Sequence, residues 1–129
     1  MKKFLFLDDT KDRHDHFDSV CAGLGVEVWH VWNAIQAIRM LEGRKFDCVF
    51  LDHDLEDTGR DTGFVVAEFI ALHCLFDSRP TQVVIHSWNC DGAKAMETIL
   101  RDNGFTNVSR VPFSFNNTPK KGVDSSHQP

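Results

Sequence analysis

The sequence has no long apolar run, no paired-cysteine motif and no excess of positive charge, and each absence removes a class of protein. No stretch approaches the roughly 20 consecutive apolar residues that a bilayer span requires, so no membrane association is expected. The apolar start Phe4–Leu7 is cut at once by Asp8 and Asp9 and is too short for the apolar region of a secretory leader. The expected compartment is therefore the cytoplasm. Cys21, Cys48, Cys74 and Cys90 lie far apart with no C-x-x-C pair, which points to reduced, mostly buried thiols. A net charge of −5 argues against a duplex-DNA binder, which carries a basic face. It leaves room for a small nucleotide or an RNA end held through a metal. Internal repeats are absent.

What is present suffices for one domain with a real core: 129 residues, 42% of them hydrophobic, with eleven phenylalanines. Three apolar runs stop directly against polar, chemically active residues: Phe4–Leu7 before Asp8 and Asp9, Val49–Leu51 before Asp52, His53 and Asp54, and Val83–Ile85 before His86 and Ser87. A fourth stretch, Val108-Ser109-Arg110-Val111, sets Val against Ser and Arg before Pro112 and Phe113. An apolar run without alternation reads as a parallel strand buried on both faces. Ligands of an open parallel sheet bind beyond the carboxyl ends of its strands. The first three runs therefore aim Asp8, Asp9, Asp52, Asp54, His86 and Ser87 at one crevice.

The segments between them complete an alternating order. The expected strands are about 3–7, 26–31, 47–51, 82–85 and 107–111. The first expected helix ends near Gly23. Asn33 is a good cap for a second helix carrying Ala34, Ile35, Ala37, Ile38 and Leu41 at helical spacing, with Gly43 past its end at the C′ position. Thr62 can cap a third helix bearing Phe64, Val65, Ala67, Phe69, Ile70 and Leu72. A fourth runs from about Gly92 to Asp102 and stops at Gly104. Right-handed crossovers make this a doubly wound α/β sheet of five parallel strands. Residues 1–113 form the expected domain. Residues 114–129, polar and rich in Asn, Ser, Pro and Lys, form an expected flexible tail.

The strand-end residues resemble the response-regulator receiver fold, which implies a flavodoxin-like strand order 2-1-3-4-5. Receivers have an acidic pair after the first strand, a phosphoacceptor Asp after the third, Ser or Thr after the fourth, and Lys-Pro after the fifth. Asp8-Asp9, Asp52 and Ser87 fall in those places. Val111 stands where the lysine should be, Arg110 would point to the opposite face, and the usual last helix is expected to be missing. A closer match is Leu51-Asp52-His53-Asp54-Leu55 with Thr62-Gly63 and His86-Ser87-x-Asn89. This combination resembles the cyclic-phosphate-processing receiver-like family, a receiver fold turned metal-dependent enzyme. The resemblance implies action on cyclic phosphates.

The residues permit that chemistry. Crowded carboxylates must be protonated or neutralised by a cation, and an oxygen-rich set suits Mg²⁺ or Mn²⁺. The expected ligands are Asp8, Asp9 and Asp52, with Asp54 as the alternative third ligand and otherwise catalytic. His86 and His53 are the candidate proton carriers, their pKa raised by neighbouring carboxylates or, if they ligate a metal, neutral. Ser87, Asn89, Thr62 and Gly63 are candidate phosphate-binding residues, the last two through helix amides. Trp88 reads as cover for a core edge, with stacking on a base as its other use. Lys11 and Arg13 read chiefly as solvated helix-face charge, and His14, His30 and His73 as structural or exposed.

The expected activity is a metal-dependent phosphoesterase that opens cyclic phosphates, either 2′,3′-cyclic RNA ends or small cyclic nucleotides. The alternatives are a signalling receiver phosphorylated on Asp52 and an inactive phosphate- or nucleotide-binding module. A haloacid-dehalogenase-type D-x-D phosphatase fits less well, because Asp52-x-Asp54 ends the third strand rather than the first.

Overall fold

The computed structural model describes residues 1–52, 63–74, 78–87 and 90–111. Five strands, β1 (Lys2–Leu7), β2 (Val26–Val31), β3 (Cys48–Leu51), β4 (Gln82–Ile85) and β5 (Val108–Arg110), alternate with four helices. The helices are α1 (Lys11–Cys21), α2 (Ala34–Gly43), α3 (Gly63–Leu72) and α4 (Cys90–Asp102). The sheet is wholly parallel with order β2-β1-β3-β4-β5, as the receiver resemblance implies. The expected tail and the question of a last helix concern residues 112–129, outside the described residues.

Period-two alternation along the strands divides the core by face. Leu5, Leu7, Val49, Leu51, Val83 and Ile85 pack with Ala34, Ala37 and Leu41 of α2, Val66 and Ile70 of α3, and Met96 and Leu100 of α4. Phe4, Phe6 and Phe50 line the other face and meet Phe17 and Cys21 of α1. Phe6 and Phe17 stack with centroids 4.2 Å apart, and Phe17 meets Phe50 edge-on at 4.7 Å. Helix α1 is thereby fixed over β1, with its N-terminus at the carboxyl edge of the sheet.

Helix boundaries follow local chemistry. Asn33 caps α2 by accepting the Gln36 amide at 2.9 Å, as its residue type predicts. The expectation for Gly43 was wrong: it is the last helical residue, and Arg44 leaves in extended conformation, so no left-handed C′ glycine is used. Gly104, with φ of 87°, does close α4. The Phe105 amide donates to the Leu100 carbonyl at 2.9 Å and the Gly104 amide to that of Arg101 at 3.1 Å, the paired bonds of a left-handed helix stop. Cys21 and Cys48 are buried and Cys74 half-buried, all as free thiols. Among the described residues no helix is long and apolar enough to cross a membrane.

Candidate metal and phosphate site

The strand order reverses between β1 and β3, and a crevice opens at such a point. Leu7 pairs with Leu51 and Leu51 with Ile85, so the next residues, Asp8, Asp52 and His86, stand side by side at the carboxyl edge. The ladder reaches into the site: the His86 amide donates to the Leu51 carbonyl at 2.8 Å, and that of Asp8 to Val31 at 3.3 Å. Asp8, Asp52, His86 and Ser87 are all buried.

One carboxylate oxygen from each of Asp8, Asp9 and Asp52 lies within 4.8 Å of the others. The three expected ligands are thus together, with Asp9 half-buried and the other two buried. Burial pushes the Asp8 carboxyl up from its ordinary value, against the pull of the Arg13 guanidinium and the Thr10 amide. That amide donates to Asp8 Oδ1 at 2.9 Å, tying the carboxylate to the start of α1. A set of three carboxylate oxygens, two of them taken out of water, suits a hard divalent cation such as Mg²⁺ or Mn²⁺. The donor set therefore fits the group that the receiver resemblance implies.

Arg13 is the residue that sequence reasoning undervalued. Its Nη1 lies 3.2 Å from Asp8 Oδ2 and 3.5 Å from Asp52 Oδ2. The solvated helix-face charge is its neighbour Lys11, which pairs with Asp15 at 2.7 Å in solvent. The available signal was spacing: Arg13 follows Thr10, which starts α1, by three residues, about one helical turn, so it rises back over the acidic pair.

His86 corrects the expectation of a raised pKa. It is buried, and burial, reinforced by Arg13 and His14, lowers its pKa to about 3. Nε2 donates to the Leu7 carbonyl at 3.2 Å, and Nδ1 stands 3.9 Å from Asp8 Oδ2. The imidazole is neutral at pH 7 and turns its basic nitrogen toward Asp8. His14 is buried behind the same carboxylate, with Nε2 donating to the Asp8 carbonyl at 2.8 Å. Its ring contacts His30 and stacks on Trp32 at 3.7 Å, and His30 in turn reaches Asp18 at 2.8 Å. Structural duty was expected of these two histidines, and this ladder supports the Asp8 backbone.

Ser87 is buried beside His86, and Gly63 is the buried first residue of α3. His53, Asp54, Thr62, Trp88 and Asn89 lie outside the described residues. At the far edge, Val111 is 47% exposed in the place of the receiver lysine. Arg110 bonds Glu97 of α4 through Nε at 2.9 Å.

The molecule is similar to solved receiver domains. Response regulator TrrA of Thermotoga maritima, in complex with Mg²⁺-BeF, superimposes with a TM-score of 0.68 at 18% identity over 90% of each chain. The receiver domain of a sensor histidine kinase from Pseudomonas aeruginosa, with magnesium in its active-site cleft, gives 0.66 at 20% identity over 88% of each chain. A chemotaxis response regulator of Vibrio cholerae gives 0.66 at 19% identity, covering 89% of this chain and 90% of the other. No curated protein matches. These likenesses define the class: a receiver fold, with the acidic cluster at its switch point. Residues 3–102 match the model of the cyclic-phosphate processing receiver domain, and the chain belongs to that family.

Proposed function

We propose that this protein is a metal-dependent phosphoesterase that opens cyclic phosphates to monoesters. The observation that carries this reading is the site's charge arrangement. Three clustered carboxylates face a cation on α1, Arg13, while the position of the receiver lysine is Val111 and Arg110 is engaged with Glu97. The family description adds its support.

Asp8, Asp9 and Asp52 would hold Mg²⁺ or Mn²⁺. Such an ion polarises a phosphoryl oxygen and lowers the pKa of bound water. In the proposed reaction a water gives up a proton as its oxygen bonds to phosphorus, one ring P–O bond breaks, and the departing sugar oxygen takes up a proton. His86 is too weak a base at pH 7 to carry that proton well, since a catalytic pKa works best near the operating pH. It forms instead the buried wall of the site beside Asp8, tied by Nε2 to the Leu7 carbonyl. His53 and Asp54 remain the proposed proton carriers, and Ser87, Gly63, Thr62 and Asn89 the proposed contacts to the phosphate. The substrates proposed are 2′,3′-cyclic RNA ends and small cyclic nucleotides.

A second reading is a signalling receiver phosphorylated on Asp52. The place of Asp52 at the end of β3, against the acidic pair, favours it. One experiment separates the two. Cyclic nucleotides and 2′,3′-cyclic oligoribonucleotides are incubated with Mg²⁺ or Mn²⁺, then with EDTA, beside Asp52→Asn. Metal-dependent ring opening, lost in the variant, supports the enzyme. No turnover of any substrate, with Asp52 labelled by acetyl phosphate, supports the signalling receiver.

A further inference from the structure

We propose that Arg13 is a positioning residue that exchanges partners: it neutralises Asp8 and Asp52 in the metal-free site and moves to the phosphate when a divalent cation takes the carboxylates. The inference rests on the metal-site reading above.

The geometry is that of a placeholder. Arg13 approaches both carboxylates through the single atom Nη1, at 3.2 and 3.4 Å to Asp8 and 3.5 Å to Asp52. Charge-assisted bonds in a locked arginine–carboxylate fork are shorter, about 2.7–2.9 Å, and use two nitrogens. Neither Asp8 nor Asp52 holds Arg13 in such a fork. Its side chain is 26% exposed, so the guanidinium lies at the rim of the crevice, and a long stem allows the head to move without α1 moving.

Charge counting gives the exchange a direction. Among the described residues, three carboxylates and one divalent ion leave one negative charge, which would repel a phosphate, and Arg13 offsets it. The receiver fold places its cation after the fifth strand; here Val111 takes that place and Arg110 bonds Glu97. On the first helix, Lys11 is bound to Asp15. Among the described residues, Arg13 is thus the cation that meets the carboxylate cluster, from α1 rather than from the opposite side of the crevice. The planar guanidinium also matches two phosphate oxygens, which a lysine cannot do.

Opposite effects on two ligands follow, and a merely structural arginine would not produce them. In calorimetric titrations of the full chain, Arg13→Gln binds Mg²⁺ about threefold or more tightly than wild type, because a competing cation has gone. With Mg²⁺ saturating, the same variant binds inorganic phosphate about tenfold more weakly. Arg13→Lys keeps wild-type Mg²⁺ affinity but loses about threefold in phosphate affinity. Lys11→Gln makes the same charge change at the solvated position and leaves both affinities as in wild type.

Equal or weaker Mg²⁺ binding by Arg13→Gln, or undiminished phosphate binding, overturns the role of Arg13 and leaves the metal site standing. If Arg13→Gln does not fold, undiminished phosphate binding by Arg13→Lys overturns it instead. Absence of Mg²⁺ uptake by wild type and Arg13→Gln alike overturns the metal-site reading itself.

Discussion

His86 Nδ1 stands 3.9 Å from Asp8 Oδ2 with both side chains buried, and burial drives the two groups toward their neutral forms from opposite directions. The imidazole pKa falls to about 3 and the carboxyl pKa rises. For His86 the unfolded chain binds the proton more tightly than the folded one. Its stabilising contribution is therefore complete above pH 6.5 and is lost as the pH falls toward 3. Between pH 6.5 and 4 the loss is on the order of 3 kcal/mol. His14, also lowered chiefly by burial, acts in the same sense. Asp8 acts in the opposite sense, since its folded form takes up a proton before the unfolded chain does. Urea unfolding in EDTA at pH 7, 5.5 and 4.5 should show stability falling with acid, and His86→Gln should flatten that slope. An equally steep slope in the variant would mean that His86 does not carry it.

This pair also marks where the sequence stopped being legible. The strands, their order and the meeting of Asp8, Asp9 and Asp52 followed from where the apolar runs end and from the receiver resemblance, because a parallel sheet collects the residues after its strands at one edge. Depth did not follow. Adjacency to carboxylates suggested a charged His86, whereas its place against Phe6, with ring centroids 4.9 Å apart, decides for the neutral form. Arg13 was missed for a related reason. Sequence shows a charged residue in a helix, but which carboxylates it reaches depends on how α1 starts, and Asp8 itself sets that start by accepting the Thr10 amide.

Two glycines test the helix ends with opposite signs. Gly43 is helical, and a Cβ there would meet nothing within 4 Å. Gly43→Ala should stabilise the protein by about 0.5–1 kcal/mol, mainly by restricting the unfolded chain. Gly104 has φ of 87°, where an L side chain is strained. Gly104→Ala should destabilise it by about 1 kcal/mol or more. Thermal unfolding of both variants checks the pair, and a stabilising Gly104→Ala would count against the helix stop described above.

Phe6 joins the core to the site. It is fully buried, stacks on Phe17 and meets the rings of both His14 and His86. Phe6→Ala should cost about 3–5 kcal/mol of stability. Phe6→Leu should cost less than Phe6→Ala, since it leaves a smaller cavity. Because Phe6 lines the pocket of the two histidines, Phe6→Leu should also weaken Mg²⁺ binding more than Gly104→Ala does. Calorimetry on the two folded variants makes the comparison, and equal affinities would separate the core from the site.

The carboxylate cluster carries a cost that a single substitution should expose. Asp8 is fully buried, its pKa is raised by that burial, and holding it ionised at pH 7 opposes folding. Asn in its place can still accept the Thr10 amide through Oδ1, so the start of α1 survives. In EDTA, Asp8→Asn should therefore be more stable than wild type, by about 1 kcal/mol after the lost attraction to Arg13 is allowed for. With metal the order should reverse. A ligand bound only by the folded state adds about 2.7 kcal/mol at 100 times its Kd. Wild type should gain that much from Mg²⁺, and Asp8→Asn almost none. Melting curves with EDTA and with Mg²⁺ give all four values. A variant less stable than wild type in EDTA would mean that Asp8 is kept for the fold, whereas the predicted crossing would mean that its charge is kept for a cation.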